Sequence, residues 1–382
     1  MILTNCTACA APLPHLAKQC SRCNTRYCGP ACQAQDWKEG GHDKVRKKIK
    51  RGGGGEQYHA DGKYAEAVEL AVEECAEDTK GQTCYICMEA VHRRTNEGLV
   101  RGCACHTTEG FVHVSCLVEQ AKILREEAVE NNLGVNACDA KWARWCTCSL
   151  CEQDYHGLVY HALGWACWKT YLTWPETDWT RCMAIGQLGN GLAAAKRHED
   201  TLSLMKITLS TYLRLGAPAS TILIVQGNLA SMYHLSGQFE EALRLRQDVY
   251  SETVKLNGEE HGDSLIAANN YASSLEGLQH FEEARSLLLK KMPVAQRVLG
   301  ESHDLTLRMR WCYAMALCAD DGAAAAEILE ETAQTARRVF GPTNPLTEGI
   351  ELNLREIRAA LRKPRSAVGK CATGVDDWGC VV

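Results

Sequence analysis

Cysteine is the residue type in this sequence whose numbers and spacing point to chemistry. The chain has 22 cysteines among 382 residues, and most of them lie before residue 168. Many form Cys-x-x-Cys pairs, whose two thiolates can converge on one metal ion. No Cys/His/acid arrangement marks a thiol nucleophile. The pattern therefore predicts metal sites and no catalytic residue, and Cys312 and Cys318 are expected to be small core residues.

The first cluster of candidate ligands spans residues 6–42. Its members are Cys6, Cys9, Cys20, Cys23, Cys28, Cys32 and His42. So short a segment cannot bury a core of its own and needs a metal to fold. Together with Tyr27, Gln33, Asp36 and Trp37, the ligand order resembles a MYND zinc finger.

The resemblance implies interleaved ligands, with Cys6, Cys9, Cys28 and Cys32 on one zinc ion. Cys20, Cys23 and His42 would hold a second ion. The usual eighth ligand is a cysteine four residues after the histidine, and here that position is Arg46. Because arginine stays protonated, it cannot ligate zinc. The second site is therefore expected to have three protein ligands, completed by water or Asp43, or to be weak or empty.

MYND fingers typically bind short proline-rich peptides. The resemblance places Gln33 and Trp37 near that peptide groove. The alternative for Trp37 is that it only covers the small core of the finger.

The second cluster spans residues 84–151. Its candidate ligands are Cys84, Cys87, Cys103, Cys105, His113, Cys116, Cys148 and Cys151. The order and the short Cys-x-Cys pair resemble a RING-CH finger, and a PHD finger is the alternative. The resemblance implies a cross-brace in which the first and third pairs hold one zinc and the second and fourth pairs hold another. Cys146 and His106 adjoin ligands and could compete with them.

RING-CH fingers generally recruit E2 ubiquitin-conjugating enzymes. The resemblance assigns the E2 contact to Ile86 and Trp145, although both could equally be packing residues. Many RING ligases also carry a basic residue directly after the last ligand. Here that residue is Glu152, which puts efficient ubiquitin transfer in doubt.

The remainder of the chain is predicted to be helical and repetitive, with a period of 42 residues. The segment 237–242 matches 279–284, and the loop 257–261 matches 299–303. Such units bury their apolar faces only by stacking, which predicts a solenoid. The pattern Asn-x-Ala…Phe-Glu-Glu-Ala…Leu-Gly-Glu-x-His resembles the tetratricopeptide repeats of kinesin light chains.

In that family, asparagines at matching positions line the concave surface and bind a peptide backbone. Asn228 and Asn270 occupy such positions. The alternative is that they cap or bridge neighbouring units.

These features predict a mainly α protein, with two small zinc-stabilised fingers followed by an α-solenoid of ~42-residue helical hairpins. Residues 52–55 are four glycines, which predict a flexible break. In chain order, the predicted domains are the first finger 1–51, a glycine linker and helix 52–83, the second finger 84–151, a helical connector 152–182, repeats 183–361, and a disordered tail 362–382.

Charge and hydropathy restrict the partners and the compartment. Residues 1–51 carry ten Lys or Arg against three Asp or Glu, whereas the whole chain has a net charge of -5. Few aromatic residues interleave with this basic tract, so we expect a solvated segment rather than a nucleic-acid site. No secretory signal and no apolar run of ~20 residues is found. The sequence predicts a soluble intracellular protein, cytoplasmic or nuclear.

The expected function is that of an adaptor that carries three or four zinc ions and binds proteins or peptides. The leading hypothesis is a soluble E3 ubiquitin-ligase-like protein, with an E2 on the second finger and the substrate on the repeats. Ligation would then work by proximity, because tethering raises the effective concentration of the reacting groups. The alternative is a non-enzymatic scaffold for protein–protein interactions.

Overall fold

The computed structural model describes residues 6–9, 11, 13, 17–103, 105, 110–342 and 344–362. The chain divides into two compact units, Met1–Thr208 and Leu209–Val382. All but the first residue of the predicted disordered tail lie outside the described residues.

The first finger, residues 1–51, combines a two-stranded hairpin with two helices. Strand β1 (Lys18–Gln19) pairs antiparallel with β2 (Arg26–Tyr27). Helix α1 (Pro30–Lys38) begins with proline in its first turn, where the missing N–H costs nothing. Helix α2 (His42–Arg51) carries the basic tract, so that tract is a folded part of the finger.

The four glycines form a tight turn between α2 and α3 (Gly55–Glu74). Gly53 and Gly54 have positive φ, a conformation that a side chain rarely adopts. The Gly55 N–H donates to the Cys23 carbonyl at 2.7 Å, and a Cβ at Gly55 would lie 2.9 Å from the Thr25 Cα. The glycines therefore allow α3 to start directly against the first finger, which is a different role from the flexible break that we predicted.

The second finger, residues 84–151, is built mostly from loops. Helix α4 (Val114–Glu130) is preceded by a bridge between Val100 and Val112. The long gap before the last cysteine pair is filled by α5 (Val135–Trp142) and a short 3₁₀ helix at Ala143–Trp145.

Three further helices complete this part of the chain, namely α6 (Gly157–Tyr171), α7 (Trp179–Ala194) and α8 (His198–Leu215). The core of the first unit is formed where α3, α4 and α6 meet the loops of the second finger. A second core patch brings Trp142 and Trp145 against Tyr171 of α6.

The second unit is a consecutive array of helical hairpins. Its helices are α9 (Ala219–Leu235), α10 (Phe239–Asn257), α11 (Gly262–Gly277), α12 (Phe281–Leu299), α13 (Asp304–Leu317), α14 (Gly322–Phe340) and α15 (Pro345–Leu361). Each helix packs against the next, and α9, α11, α13 and α15 also contact one another in sequence. This arrangement confirms the predicted solenoid.

The repeated loops set the helix ends in the same way in each unit. Gly258 and Gly300 end α10 and α12 with positive φ, as glycine readily does. His261 and His303 then cap the next helices, because each imidazole Nδ1 accepts the N–H of the residue two positions on, at 3.2 Å. The helix caps therefore recur every 42 residues, as the apolar residues do.

No helix in the described ranges is at once long enough and apolar enough to cross a lipid bilayer.

Two glycines of α7 provide a matched test of helix packing. A Cβ at Gly191 would lie 2.8 Å from the Tyr160 carbonyl oxygen, whereas one at Gly186 would meet nothing within 4 Å. We expect Gly191→Ala to destabilise the chain by about 1–3 kcal/mol, because α6 and α7 must separate. Gly186→Ala should stabilise it by about 0.5–1 kcal/mol. Thermal unfolding measures both, and a lower Tm for Gly186→Ala or an unchanged Tm for Gly191→Ala would contradict this packing.

Candidate metal centres and binding surfaces

Cysteine pairs in both fingers share one backbone geometry. In Cys20–Cys23, Cys84–Cys87 and Cys148–Cys151, the N–H of the residue after the second cysteine donates to the carbonyl of the first. The N–H of the first cysteine donates to the carbonyl five residues on. The residue after each pair has positive φ; these residues are Asn24, Met88 and Glu152. This reversal turns both sulfur atoms toward the same point.

The first centre brings together Cys6, Cys9, Cys28 and Cys32, whose Sγ atoms all lie within 4.8 Å of one another. Cys9 and Cys28 are 3.6 Å apart, and Cys28 and Cys32 are 3.3 Å apart. A tetrahedral zinc with bonds of ~2.3 Å would hold its sulfurs ~3.8 Å apart. The donor set and its spacing therefore fit a closed zinc site.

The second centre brings together Cys20, Cys23 and His42, and all three are buried. The Cys23 Sγ lies 3.4 Å from His42 Nε2, so this ring nitrogen faces the site. Asp43 is exposed and is not among the grouped ligands. Within the described residues, these three side chains are grouped at this centre and no fourth Cys, His, Asp or Glu joins them.

Arg46 lies beside Trp37, four residues after His42. Its guanidinium carbon is 4.9 Å from the centre of the Trp37 ring. Burial raises the pKa of the Cys20 thiol, but N–H donors from Arg22 and Cys23 and the charge of Arg46 outweigh it, so the net pKa is lowered. Arg46 thus supplies positive charge to this centre and no ligand.

A buried chain of polar groups orients His42, and sequence analysis did not identify it. The Tyr27 hydroxyl donates to Asp36 Oδ2 at 2.6 Å, and the same oxygen lies 3.5 Å from His42 Nδ1. Burial and the Asp36 carboxylate raise the pKa of Tyr27, so the hydroxyl keeps its proton. A carboxylate behind a ligating histidine fixes the ring and its tautomer. Tyr27 and Asp36 both belong to the MYND-like motif, but their contact with His42 is seen only in the folded structure.

The second finger forms two further centres. Cys84, Cys87, His113 and Cys116 form one group, and Cys103, Cys105, Cys148 and Cys151 form the other. His113 Nδ1 lies 3.3 Å from Cys87 Sγ, and Cys105 and Cys148 have sulfurs 3.7 Å apart. The first pair thus meets the third and the second meets the fourth, which is the arrangement of the predicted cross-brace.

Of the two residues that could compete as ligands of the second cluster, Cys146 and His106, the structure describes only Cys146. The Cys146 thiol donates to the Ala143 carbonyl at 3.2 Å and belongs to no metal group found among the described residues. Burial raises the pKa of Cys146 to about 11, which disfavours the thiolate that a metal needs. His106 lies outside the described residues.

The two residues assigned to an E2 contact lie in different environments. Ile86 is 37% exposed and lines a groove whose other wall is α4, with Ile123 and Leu124. Trp145 is fully buried, and its carbonyl accepts a bond from Gln187 Nε2 at 2.9 Å. Burial favours the packing alternative for Trp145, because its ring has no surface to offer a partner.

The residues assigned to peptide binding are all accessible in part. Gln33 and Trp37 lie one turn apart on α1, and Trp37 is exposed on one side while it contacts the His42 ring. Asn228 on α9 and Asn270 on α11 are half-buried, and Asn270 lines a cavity of the second unit. The position that matches them in the next repeat is Cys312.

Comparisons with known proteins agree with two of these modules. The family model of the MYND finger matches residues 6–45, and that of the tetratricopeptide repeat matches residues 223–263. They confirm the predicted MYND finger and the predicted repeats. No curated protein matches the chain.

Several solved structures are similar to the chain. Two are described as a putative kinesin light chain of Podosopora anserina with nearly identical TPR-like repeats, one of them a form with a single substitution. The substituted form is 18% identical over 60% of this chain and 98% of its own, with a TM-score of 0.40. The other is 19% identical over 59% and 97%, with a TM-score of 0.39. BtubC (BKLC) from P. vanneervenii is 14% identical over 70% and 97%, with a TM-score of 0.33.

Arg46→Cys should strengthen metal binding at the second centre. A fourth thiolate would close the coordination shell of the second centre. We therefore expect the fastest phase of zinc release, followed with a chromogenic chelator, to slow at least ~10-fold, which is the smallest effect that outer-shell changes typically have on metal affinity. Arg46→Ala removes the guanidinium without adding a ligand and serves as the control. Equal release from the wild type and Arg46→Cys would show that position 46 does not face the metal.

Asp36→Asn should weaken the same centre, because the amide cannot hold His42 as the carboxylate does. We expect a loss of ~10–100-fold in zinc affinity at this centre alone. Asp43→Asn changes an exposed carboxylate on α2 and is the matched control. Zinc titration with a competing chelator measures both variants, and equal affinities for them would argue against the orienting role of Asp36.

Proposed function

We propose that this chain is a zinc-dependent adaptor that holds an E2 ubiquitin-conjugating enzyme on its second finger and a substrate protein on its repeats. The coarser function, a protein-interaction scaffold of zinc finger and tetratricopeptide repeats, agrees with both family matches. The groove between Ile86 and α4 is the observation that carries the finer proposal. An E2 partner would place the chain in the cytoplasm or nucleus.

Zinc would hold the two fingers in shape. Among the described residues, three groups offer four Cys or His side chains each, and the group at Cys20, Cys23 and His42 offers three. Thiolate and imidazole donors in tetrahedral sets favour zinc. We therefore propose three or four zinc ions, all structural, with no reacting group bound to them.

The surface around Ile86 has the apolar character of a docking site. Ile123 across the groove is 46% exposed, and Met88 and Leu150 are also exposed on the neighbouring cysteine loops. Exposed apolar residues that cluster in this way mark sites of protein–protein contact. The rigid cysteine loops and α4 would present this surface without a large ordering cost.

The chain itself would act by holding the E2 and the substrate close together. An E2 that carries ubiquitin on a thioester needs a nearby lysine and no nucleophile from the adaptor. Tethering the E2 and the substrate to one chain raises their effective concentration. Gln33 and Trp37 of the first finger, together with Asn228 and Asn270 of the repeats, are the residues that we propose to bind the tethered peptide.

A non-enzymatic scaffold is the second candidate, and Glu152 favours it. This residue is exposed directly after the last ligand, where many RING ligases have a basic residue. A negatively charged carboxylate at this position cannot supply the positive charge that a guanidinium or ammonium group would provide. Under this alternative the same groove binds a partner that transfers nothing.

Ubiquitin chain formation with a panel of E2 enzymes tests the proposal. We expect the wild type to form chains and Ile86→Ala to lose most of that activity, because the central apolar contact is removed. Val129→Ala is the matched control, since Val129 is 52% exposed on α4, the helix that forms the other wall, but does not line the groove. Zinc content should be equal in all three proteins.

Cys84→Ser removes a ligand and should abolish both the activity and one bound zinc. Chains that persist in Ile86→Ala would overturn the assigned contact. No chains with any E2, from wild-type protein that carries at least three zinc ions, would favour the scaffold.

A further inference from the structure

A cavity of about 360 Å³ lies in the second unit between the first helices of three successive hairpins, α9, α11 and α13. Its apolar wall includes Ile266, Leu305, Trp311 and Met315. This volume is in the range of cavities that take a small ligand or one large side chain. Arg246 of α10 also lines the cavity.

Arg246 is a buried cation with only neutral partners. It is 4% exposed, and its Nη atoms donate to the Asn270 carbonyl at 2.9 Å, to Ser274 Oγ at 3.0 Å and to Ser231 Oγ at 3.3 Å. Its Nε is buried and has no hydrogen-bond partner. Burial lowers the pKa of Arg246 to about 10, so the guanidinium is still charged at neutral pH.

Other shielded cations of this unit have carboxylate partners. Lys291 binds Glu259 at 3.0 Å, and Arg308 binds Asp304 at 2.6 Å. Within the described part of the chain, Arg246 has no carboxylate within 4 Å. A buried charge without a counter-charge is costly, and a structure seldom keeps one without a use.

The carboxylates around the cavity are engaged elsewhere. Glu276 accepts the Cys312 thiol at 2.8 Å, and burial raises the pKa of Glu276 to about 8, which keeps it largely protonated at neutral pH. Asp304 pairs with Arg308, and Asp263 accepts from Asn257 Nδ2 at 3.2 Å. The cavity therefore has a buried positive charge on its wall, while its carboxylates are protonated (Glu276), paired with another cation (Asp304) or exposed to solvent (Asp263).

Two further polar atoms on the same cavity support a polar ligand. His234 Nδ1 and Asn269 Oδ1 are buried and have no hydrogen-bond partner among the described residues. Burial and the charge of Arg246 lower the pKa of His234 to about 4, so its ring is neutral and offers both a donor and an acceptor.

We propose that this cavity binds a carboxylate carried on an apolar stem, with the carboxylate on Arg246 and the stem against Trp311 and Met315. A guanidinium has five N–H groups, and three of them are used by the bonds above. The two that remain, on Nε and Nη2, suit the two oxygens of a carboxylate. A singly charged carboxylate balances one guanidinium, whereas a phosphate dianion would leave excess negative charge in a buried site.

The proposal gives the chemistry of the ligand that the repeats hold, and it rests on that part of the proposed function. It does not depend on ubiquitin transfer, because it is tested by direct binding. The carboxylate can belong to a free small molecule or to an acidic side chain of a partner protein, and two sets of probes separate these sources.

The test uses the full chain and ligand-observed NMR with hexanoate, neutral hexanamide and hexyl phosphate as probes. Hexanoate should bind the wild type at least tenfold more tightly than either of the others and should raise its Tm. Arg246→Met should lose this binding and the Tm increase. Lys291→Met removes a buried cation that already has its carboxylate and should bind hexanoate as the wild type does.

The peptides acetyl-Leu-Glu-amide and acetyl-Leu-Gln-amide form the second set of probes. Tighter binding of the Glu peptide than of hexanoate would support a carboxylate supplied by a partner protein. Binding of hexanoate with no binding of the Glu peptide would support a small-molecule ligand. The Gln peptide should not bind in either case.

Equal binding of hexanoate and hexanamide, tighter binding of hexyl phosphate, or hexanoate binding that persists in folded Arg246→Met would each overturn the proposal. If Arg246→Met does not fold, Ile266→Trp decides, because it fills the cavity and leaves Arg246 in place. Loss of hexanoate binding in folded Ile266→Trp supports the site, and unchanged binding overturns it. Absence of hexanoate and Glu-peptide binding to the wild type overturns it as well.

Discussion

Two cysteines separated by two residues can bind the same metal only if the backbone reverses between them. In this chain the reversal places Asn24, Met88 and Glu152 in the left-handed region of backbone space. That conformation costs an ordinary side chain roughly 1–2 kcal/mol. Structural zinc in finger peptides contributes about 10–16 kcal/mol at pH 7, which exceeds the strain of all three turns. The shape of both fingers follows from this one requirement.

The same reversal determines which residues of the second finger face outward. The turn exposes Ile86 and Leu150 on the two cysteine loops, since each lies between paired ligands whose sulfurs point inward. Glu152 is exposed for the same reason, directly after its pair. The backbone that brings the candidate ligands together therefore also shapes the exposed surface that both proposed functions would use.

The repeats use a different constraint, which is close packing of small residues. Ala230, Ala272 and Ala314 occupy matching positions and are fully buried, so successive helices can approach each other. Within this regular array the buried polar groups are exceptions. Arg246 links α9 and α11 through serine hydroxyls and a carbonyl, and Glu276 links α11 to Cys312 on α13. Such groups would cost stability if they lacked hydrogen-bond partners, and here they lie around one cavity.

The candidate ligand pairs and the repeat architecture can both be read from the sequence alone. Thiolate pairing depends on residues two apart, and a solenoid depends on a period of 42 residues, so both are properties of short stretches of chain. The three-ligand second centre was also predictable, because Arg46 cannot bind zinc.

The burial of individual side chains and the contacts between distant groups depend instead on the folded chain. The burial of Trp145, the contact of Tyr27 and Asp36 with His42, and the glycine turn against Thr25 all depend on contacts between separate segments. Arg246 in sequence is one more charged residue on an amphipathic helix. That Arg246 lacks a carboxylate partner cannot be read from the sequence. It depends on which carboxylates the packing of neighbouring helices brings close to the guanidinium.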